Sequence, residues 1–413
     1  MQVAEVLRLI RTGEAQTRPE LADATGLGRN VVTLRVQAAH ELGLAQPSGG
    51  QRSRGGRAAE VWEPAGSAGT IAIGIVGYQH LRIVIADLNL QVIEERFVDW
   101  DPYAHAEVTC EHLAREVESL LASHPGSSLW GMGIGLLAPV QFDTGRNADP
   151  VTGATSLPRW PLEFDARAWF TQRLHVPVWV ESVANLATLG AAAQPGAPAD
   201  LIFVRMGIGV GSGIVSDGKL HRGADWIAGE MTHVTVQPDS DRVCVCGRTG
   251  CLETFATEQS IEADARRLIA DGRSQRLARI DPEKLIAADV VEAAEAGDVA
   301  CVEIVLRAAD ALGQVLASVV TWFNPRRVVV GGNRLAGSAL FQNALRRSLN
   351  THALGASLEH LELQVGDPNR GEEVRGALAM VRDALLSAPY LVVWGPNGSP
   401  TATPELLERG TQT

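Results

Sequence analysis

The sequence predicts an α/β protein with a small helical head, and three observations predict it. From Thr70 onward, apolar strands alternate with helical stretches, and glycine turns sit at strand ends. Before that point the pattern is helical and ends in a loop rich in glycine and arginine. Between the two lies "EPAGSAGT", Glu63 to Thr70, whose small residues and proline read as a linker. The expected division is a head at 1–63, a linker at 64–69, a large domain at 70–390 and a C-terminal tail at 391–413.

Composition narrows the class. The 413 residues are 46% apolar and 20% charged, enough for two or three domains with sizeable cores. The opening "MQVAEVLRLIRTGE" mixes charge into every turn, so no secretory signal is visible. No uncharged apolar run approaches the ~20 residues of a membrane span. Five cysteines without an export signal point to a cytoplasmic, reducing setting, where clustered cysteines bind metal more often than they form disulfides. The net charge of −12 argues against a polyanion-binding surface over the whole protein. Within residues 1–63, however, eight arginines face seven acidic residues, so nearly all the acidity lies downstream.

In the head, "VAEVLRLI" is amphipathic. Thr17 is placed to cap a second short helix, with Pro19 in its first turn and Gly26 as its breaker. "LGRNVVTLRVQAAHELGL" then resumes as a third helix, and two helices around a tight glycine turn predict helix-turn-helix DNA binding. Val32, Val36 and Ala39 share one face at helical spacing and are expected in the core. The opposite face carries Asn30, Thr33, Leu34 and Gln37, flanked by Arg29 and Arg35. Amides and hydroxyls there can read base edges, while arginines suit phosphates. Leu34 can meet a thymine methyl or be an ordinary exposed leucine. The following "PSGGQRSRGGRAAEVW" sets Arg52, Arg54 and Arg57 among glycines between extended stretches, as in a β-hairpin wing. A helical bundle with a solvated basic loop is the plainer alternative.

The large domain opens with "TIAIGIVGYQHLRIVIADLNLQVIEERF", two or three strands joined by tight turns. Helical "AEVTCEHLAREVESLLASH" and the strand "LWGMGIGLL" follow, then "VPVWVES" and "DLIFVRMGIGVGSGIVSDGKL". A long buried helix, "DVACVEIVLRAADALGQVLASVVTWF", precedes the strand "RRVVVGGN". The pattern implies an α/β fold with a cleft. Glycines in "GIGVGSG" could bring backbone amides close to a phosphate, although hairpin glycines are common.

"AGEMTHVTVQPDSDRVCVCGRTGCLE", with "NPRRVVVGGN" and "LPRW" in matching order, resembles the signature of the ROK family of sugar kinases and sugar-responsive transcription factors. The likeness runs from about Thr70 to the helix near Leu386. It implies a two-lobed, actin-like and ribonuclease H-like sugar-kinase fold. A winged helix-turn-helix ahead of that domain is the arrangement of ROK repressors, and family kinases usually lack it. The resemblance gives the cysteines a role. His233, Cys244, Cys246 and Cys251 supply one imidazole and three thiolates, a closed tetrahedral Zn2+ set that orders a loop and leaves no position for activating water. Gly247 and Gly250 allow the tight turn that converges the sulfurs. Reduced thiols without metal, or a strained Cys-x-Cys disulfide, are the alternatives.

The resemblance also says what a family kinase needs. The Asp-x-Gly-x-Thr phosphate loop is replaced by "IGIVGYQHLR", with Gly77 kept and Val76 where the aspartate belongs. The base of the Asn-Asp-Ala-Asn string is replaced in "SVAN", where Val183 cannot accept a proton. Losing a positioned base costs about 10²–10⁴ in rate, and losing the phosphate loop removes most of the positioning on which phosphoryl transfer depends. No kinase activity is therefore expected. For that activity to survive, Asp87 or Asp143 would have to replace the base.

Sugar contacts implied by the family fall on Glu230, His233 and Glu253, with Asn185 and Ser156 near other usual asparagines. Around them the pocket has drifted: Thr232, Ser182, Val183 and "LLAPV" all depart from the family pattern. The expected protein is a non-enzymatic DNA-binding regulator, a repressor by resemblance. It would bind a double-stranded operator as a homodimer or homotetramer and sense a sugar or related ligand. The competing readings are a ligand-independent scaffold, in which Glu230 and Glu253 brace the metal loop, and a kinase with an added head.

Overall fold

The structure is a computed structural model of the full chain, and residues 2–52, 59–148, 160–366 and 371–408 are described here. The head comprises α1 (Gln2–Thr12), α2 (Arg18–Thr25), α3 (Arg29–Glu41) and the antiparallel pair β1 (Ala45–Arg52) and β2 (Ala59–Pro64). Its caps follow the sequence. Thr17 accepts from the Glu20 amide while the Glu20 carboxylate accepts from the Thr17 amide, and Gly26 ends α2 at φ +67°. Val32, Val36 and Ala39 are fully buried beneath α3, as the helical spacing requires. The linker is not a loose tether. Strand β2 runs through Pro64, the Ala65 amide donates to the Leu44 carbonyl, and Ala65 and Gly66 are buried.

Two five-stranded sheets follow, and they repeat one topology. The first has the order β5-β4-β3-β6-β9, from β3 (Thr70–Val76), β4 (His80–Asp87), β5 (Val92–Asp99), β6 (Leu129–Leu136) and β9 (Val178–Ser182). Helix α4 (Ala106–Ser123) lies between β5 and β6 in the chain. A short ladder, β7 (Val140–Gln141) and β8 (Arg146–Asn147), and α5 (Ala166–Leu174) lie between β6 and β9. The second sheet, reached after α6 (Val183–Ala192), has the order β12-β11-β10-β13-β14. Its strands are β10 (Leu201–Met206), β11 (Val210–Ser216), β12 (Lys219–His221), β13 (Arg327–Gly331) and β14 (Glu362–Val365). In each sheet the first three strands form an antiparallel meander, and the first strand pairs in parallel with the fourth. This duplicated order is the actin-like, ribonuclease H-like arrangement.

The second sheet's third and fourth strands are separated by a far larger insertion. It holds a cysteine-bearing loop and the helices α7 (Glu253–Ala256), α8 (Glu258–Ala270), α9 (Ala287–Glu295) and α10 (Val299–Phe323). Helices α11 (Arg334–Gly337), α12 (Ala339–His352) and α13 (Gly355–Leu358) lead to β14. Helix α10 supplies thirteen buried residues to the core of this unit, and Trp322 at its end is 89% exposed. The chain closes with α14 (Glu372–Leu385), α15 (Ala388–Trp394) and α16 (Glu405–Glu408).

By contacts the chain forms two units: Met1–Asn147 with Leu157–Glu181 and Ala377–Thr413, and Ala148–Ser156 with Ser182–Gly376. By contacts the head groups with the first sheet, and so do the described residues that follow 391. Trp394 is fully buried edge-on to Trp130 at 5.2 Å, and its indole N–H donates to the Leu385 carbonyl at 2.8 Å. A large aromatic ring satisfied on both counts holds α15 against the first sheet. Among the described residues no single helix is long and apolar enough to cross a membrane.

Candidate functional site

The cysteine loop is built by backbone geometry before any ligand chemistry enters. Gly247 turns at φ +83° and Gly250 at φ +68°. A Cβ on Gly250 would lie 1.7 Å from the Gln237 carbonyl oxygen, so no other residue fits there. The Cys244 amide donates to the Arg248 carbonyl, and the Gly247 amide to the Cys244 carbonyl, closing a tight knuckle. Short bridges between Thr235 and Cys251 and between Val243 and Thr249 bring the His233 segment beside it.

The ligand atoms of His233, Cys244, Cys246 and Cys251 all lie within 4.8 Å of one another. Cys246 Sγ is 3.7 Å from Cys251 Sγ, and Cys244 Sγ is 3.4 Å from His233 Nδ1. A tetrahedral ion with bonds of about 2.3 Å to sulfur and 2.0 Å to nitrogen has ligand-to-ligand edges of about 3.5–3.8 Å, so these two edges match zinc, and the four residues could hold a metal ion. All five cysteines are free thiols, which sets the disulfide alternative aside in this structure.

Local electrostatics divides the thiols. Burial pushes Cys244 and Cys251 above the ordinary thiol range, reinforced at Cys244 by the Glu253 carboxylate. Burial acts on Cys246 in the same direction, but hydrogen bonds from the Arg248 amide and side chain outweigh it and hold that thiol at about 7.

Glu253 faces this cluster. Its Oε2 accepts from the Cys244 thiol at 3.0 Å and lies 3.4 Å from His233 Nδ1. The bracing expected of Glu253 through backbone amides is instead a contact with the metal-ligand side chains themselves. A support that the sequence reading missed is Arg242. Its guanidinium lies over the Phe255 ring at 4.8 Å, donates to the Thr254 carbonyl at 2.7 Å, and grips both oxygens of Asp264 at 2.9 Å. Arg307 on α10 binds the same buried carboxylate at 2.7 Å. The available signal was an aspartate on the buried face of α8, where an unpaired charge would be costly.

Two of the other expected ligand contacts, Glu230 and Asn185, are among the described residues. Glu230 is exposed just before a single helical turn, while Gly229 is tied to β11, its carbonyl accepting from the Ser212 hydroxyl at 2.6 Å. Asn185 is buried on α6, and a Cβ on Gly213 would stand 2.9 Å from its Oδ1. Ser156 lies outside the described residues. Ser182 caps α6 through the Asn185 amide, and Val183 is the first residue of that helix and buried. At the first hairpin, Gly77 donates to the His80 carbonyl, and Val76, buried, puts no carboxylate there. In the second, the Gly207 amide is already taken by the Gly209 carbonyl, so the "GIGVGSG" turn spends one of its amides internally.

On the head, Arg29, Asn30, Thr33, Leu34 and Gln37 are exposed on one face of α3, Leu34 by 66%. Arg35, at the flank of this face, is half-buried, and its Nε donates to Gln2 Oε1 at 3.1 Å. The backbone of Arg52 ends β1, opposite Ala59. The side chain of Arg52, and the whole of Arg54 and Arg57, lie outside what is described.

Comparison with known proteins follows this division. The profile of the ROK family matches residues 70–384. The xylose repressor of Caldicellulosiruptor bescii is 28% identical over 390 residues, covering 93% of this chain and 96% of its own. A crystal structure of a ROK family transcriptional regulator, a homologue of the E. coli MLC protein, superposes with a TM-score of 0.80 at 19% identity and covers 98% of both chains. A Streptomyces griseus ROK glucokinase in complex with glucose and AMPPNP gives a TM-score of 0.63 at 24% identity. It covers 76% of this chain and 99% of its own.

Proposed function

Because this chain belongs to the ROK family, we propose that it is a DNA-binding transcriptional repressor whose kinase-like domain no longer phosphorylates sugar. The observation that carries the reading is coverage. A repressor aligns from end to end, whereas a family kinase accounts for about three quarters of the chain. The remainder includes a capped helix-turn-helix with an exposed polar face on α3. Val183 at the base position and the closed Gly77–His80 turn support the loss of phosphoryl transfer.

In this reading Asn30, Thr33, Leu34 and Gln37 read base edges in the major groove, and Arg29, Arg52, Arg54 and Arg57 hold phosphates. One recognition helix reads too few base pairs for genomic specificity, so the protein works as a homodimer or homotetramer in the cytoplasm. His233, Cys244, Cys246 and Cys251 would hold a structural zinc ion, whose charge would offset two of the three thiolate charges and whose bonds would fix the loop. Glu253 and Glu230, with Asn185 and Ser156, are the residues left to meet a sugar-like effector. Each hydrogen bond to a charged group is worth about 1.5–3 kcal/mol, so a site lacking the family's Asn-Asp pair favours a ligand other than an ordinary hexose.

The test is fluorescence anisotropy on duplexes selected from a random library by the zinc-loaded protein, with neutral sugars and sugar phosphates added in turn. Salt-sensitive binding that one compound shifts is the expected result, and failure to select any sequence would overturn the DNA-binding reading. Replacing Arg52, Arg54 and Arg57 by alanine should weaken binding to every duplex alike, whereas Gln37→Ala should change which duplex is preferred. The contact of Glu253 with the metal ligands favours one alternative, a ligand-independent scaffold. Binding that no compound moves would establish it.

A further inference from the structure

The head's attachment to the first sheet carries an inference of its own, resting on the DNA-binding reading above. Helix α1 does more than support the helix-turn-helix. Val6, Leu7, Leu9 and Ile10 are buried. Leu7, Ile10 and Arg11 line a narrow gap together with Leu44, Pro64, Ala65, Leu88, Asn89 and Leu386. The other side of that gap belongs to the β4–β5 turn and the end of α14.

Polar contacts stitch its rim. Arg11 meets Asp383 at 3.0 Å, and the same carboxylate accepts from Arg382 Nε at 2.9 Å. Burial pulls the Arg11 guanidinium below its ordinary range and Asp383 opposes that, so the pair is not a freely solvated one. The strap from 64 to 69 is fixed at Pro64 and Gly66. The Asn89 amide donates to the Pro64 carbonyl, and the Leu88 backbone amide to the Gly66 carbonyl. Cβ atoms on Gly66 and Gly69 would lie 2.5 Å from Asp87 Oδ2 and 2.3 Å from the Trp130 ring.

We propose that Arg11 and Asp383 are positioning residues for DNA reading: their ion pair clasps the head to the body, so that α3 is presented in one orientation instead of swinging on a tether. A two-headed oligomer gains operator affinity only when both recognition helices sit at the half-site spacing, and a fixed head makes that arrangement in advance. Arg11 points away from DNA in this account. Removing it should weaken specific binding without touching a base or phosphate contact.

The experiment uses the full-length zinc-loaded protein and three variants: Arg11→Glu, Asp383→Arg and the double swap. Elastase reads the strap, in which Ala65 is buried and Ala68 half-buried, and anisotropy reads the duplex selected by the wild type. Each single reversal should raise the initial rate of strap cleavage and weaken duplex binding by about fivefold, with the melting temperature of the body unchanged. The swap restores an ion pair and should bring both readouts back to within about twofold of wild type. Single variants that cleave and bind like the wild type would overturn the clasp, as would a swap whose defects simply add. A wild type that selects no duplex would overturn the DNA-binding reading, while strap cleavage would still decide whether the clasp exists.

Discussion

The two sheets share one strand order and differ almost wholly in what is hung on it. Between its third and fourth strands the first sheet carries a single helix, α4. At the same place the second carries the cysteine knuckle and four helices. The helices that follow the two fifth strands, α6 and α14, meet where Gly190 and Gly376 leave no room for side chains. A Cβ on Gly376 would stand 1.8 Å from the Leu186 carbonyl oxygen. A duplicated scaffold therefore supplies packing, and chemistry enters at insertions and strand ends. The first unit spends its attachments on a DNA-binding head, the second on a metal loop.

The sharpest way to break the comparison is to remove the metal loop alone. Cys251→Ser should abolish stoichiometric zinc, measured by elemental analysis. It should also lower the melting temperature by on the order of 10 °C, because ion binding is folding free energy for a loop without a core of its own. If the melting curve is unchanged, the knuckle does not hold the second unit together. The matching change in the first unit is Trp394→Ala, which deletes a fully buried indole and its hydrogen bond. About 3–5 kcal/mol should be lost in denaturant unfolding, with zinc content unaffected.

Acidification should separate the units more gently. Cys244 and Cys251 are held above the ordinary thiol range, so protons compete with the ion at these positions. Zinc retention should therefore fall as pH falls, by at least about tenfold in affinity per unit between pH 7.5 and 6, read by competition with a chromogenic chelator. A flat profile would mean that the thiols do not ligate. The smallest effect belongs to Thr17→Ala, which removes the α2 cap. It should cost about 1 kcal/mol of head stability, seen as faster amide exchange in α2 with the second unit unchanged.

Much of the head and the metal set was legible in the sequence because both are local. Thr17, Gly26 and the spacing of Val32, Val36 and Ala39 specify their conformation within a few residues. Gly247 and Gly250 do the same for the knuckle. The contact of Arg35 with Gln2 was not legible, because Gln2 is more than thirty residues away in the chain. The place of Asp264 on the buried face of α8 called for a cation, but nothing in the sequence said that Arg242 and Arg307 would supply it.

By itself, then, the sequence determined which segments become helix, strand or glycine turn, and which four side chains suit zinc. Periodicity, caps and positive-φ glycines act over one or two turns of chain. Only the tertiary structure decided that Glu253 faces the metal ligands, that Trp394 anchors the chain end under Trp130, and that Arg11 reaches Asp383. Those outcomes depend on which surfaces close over which within each unit. Burial converts such meetings into lost solvation and shifted charge, and neither quantity exists until the partner from elsewhere in the chain has arrived.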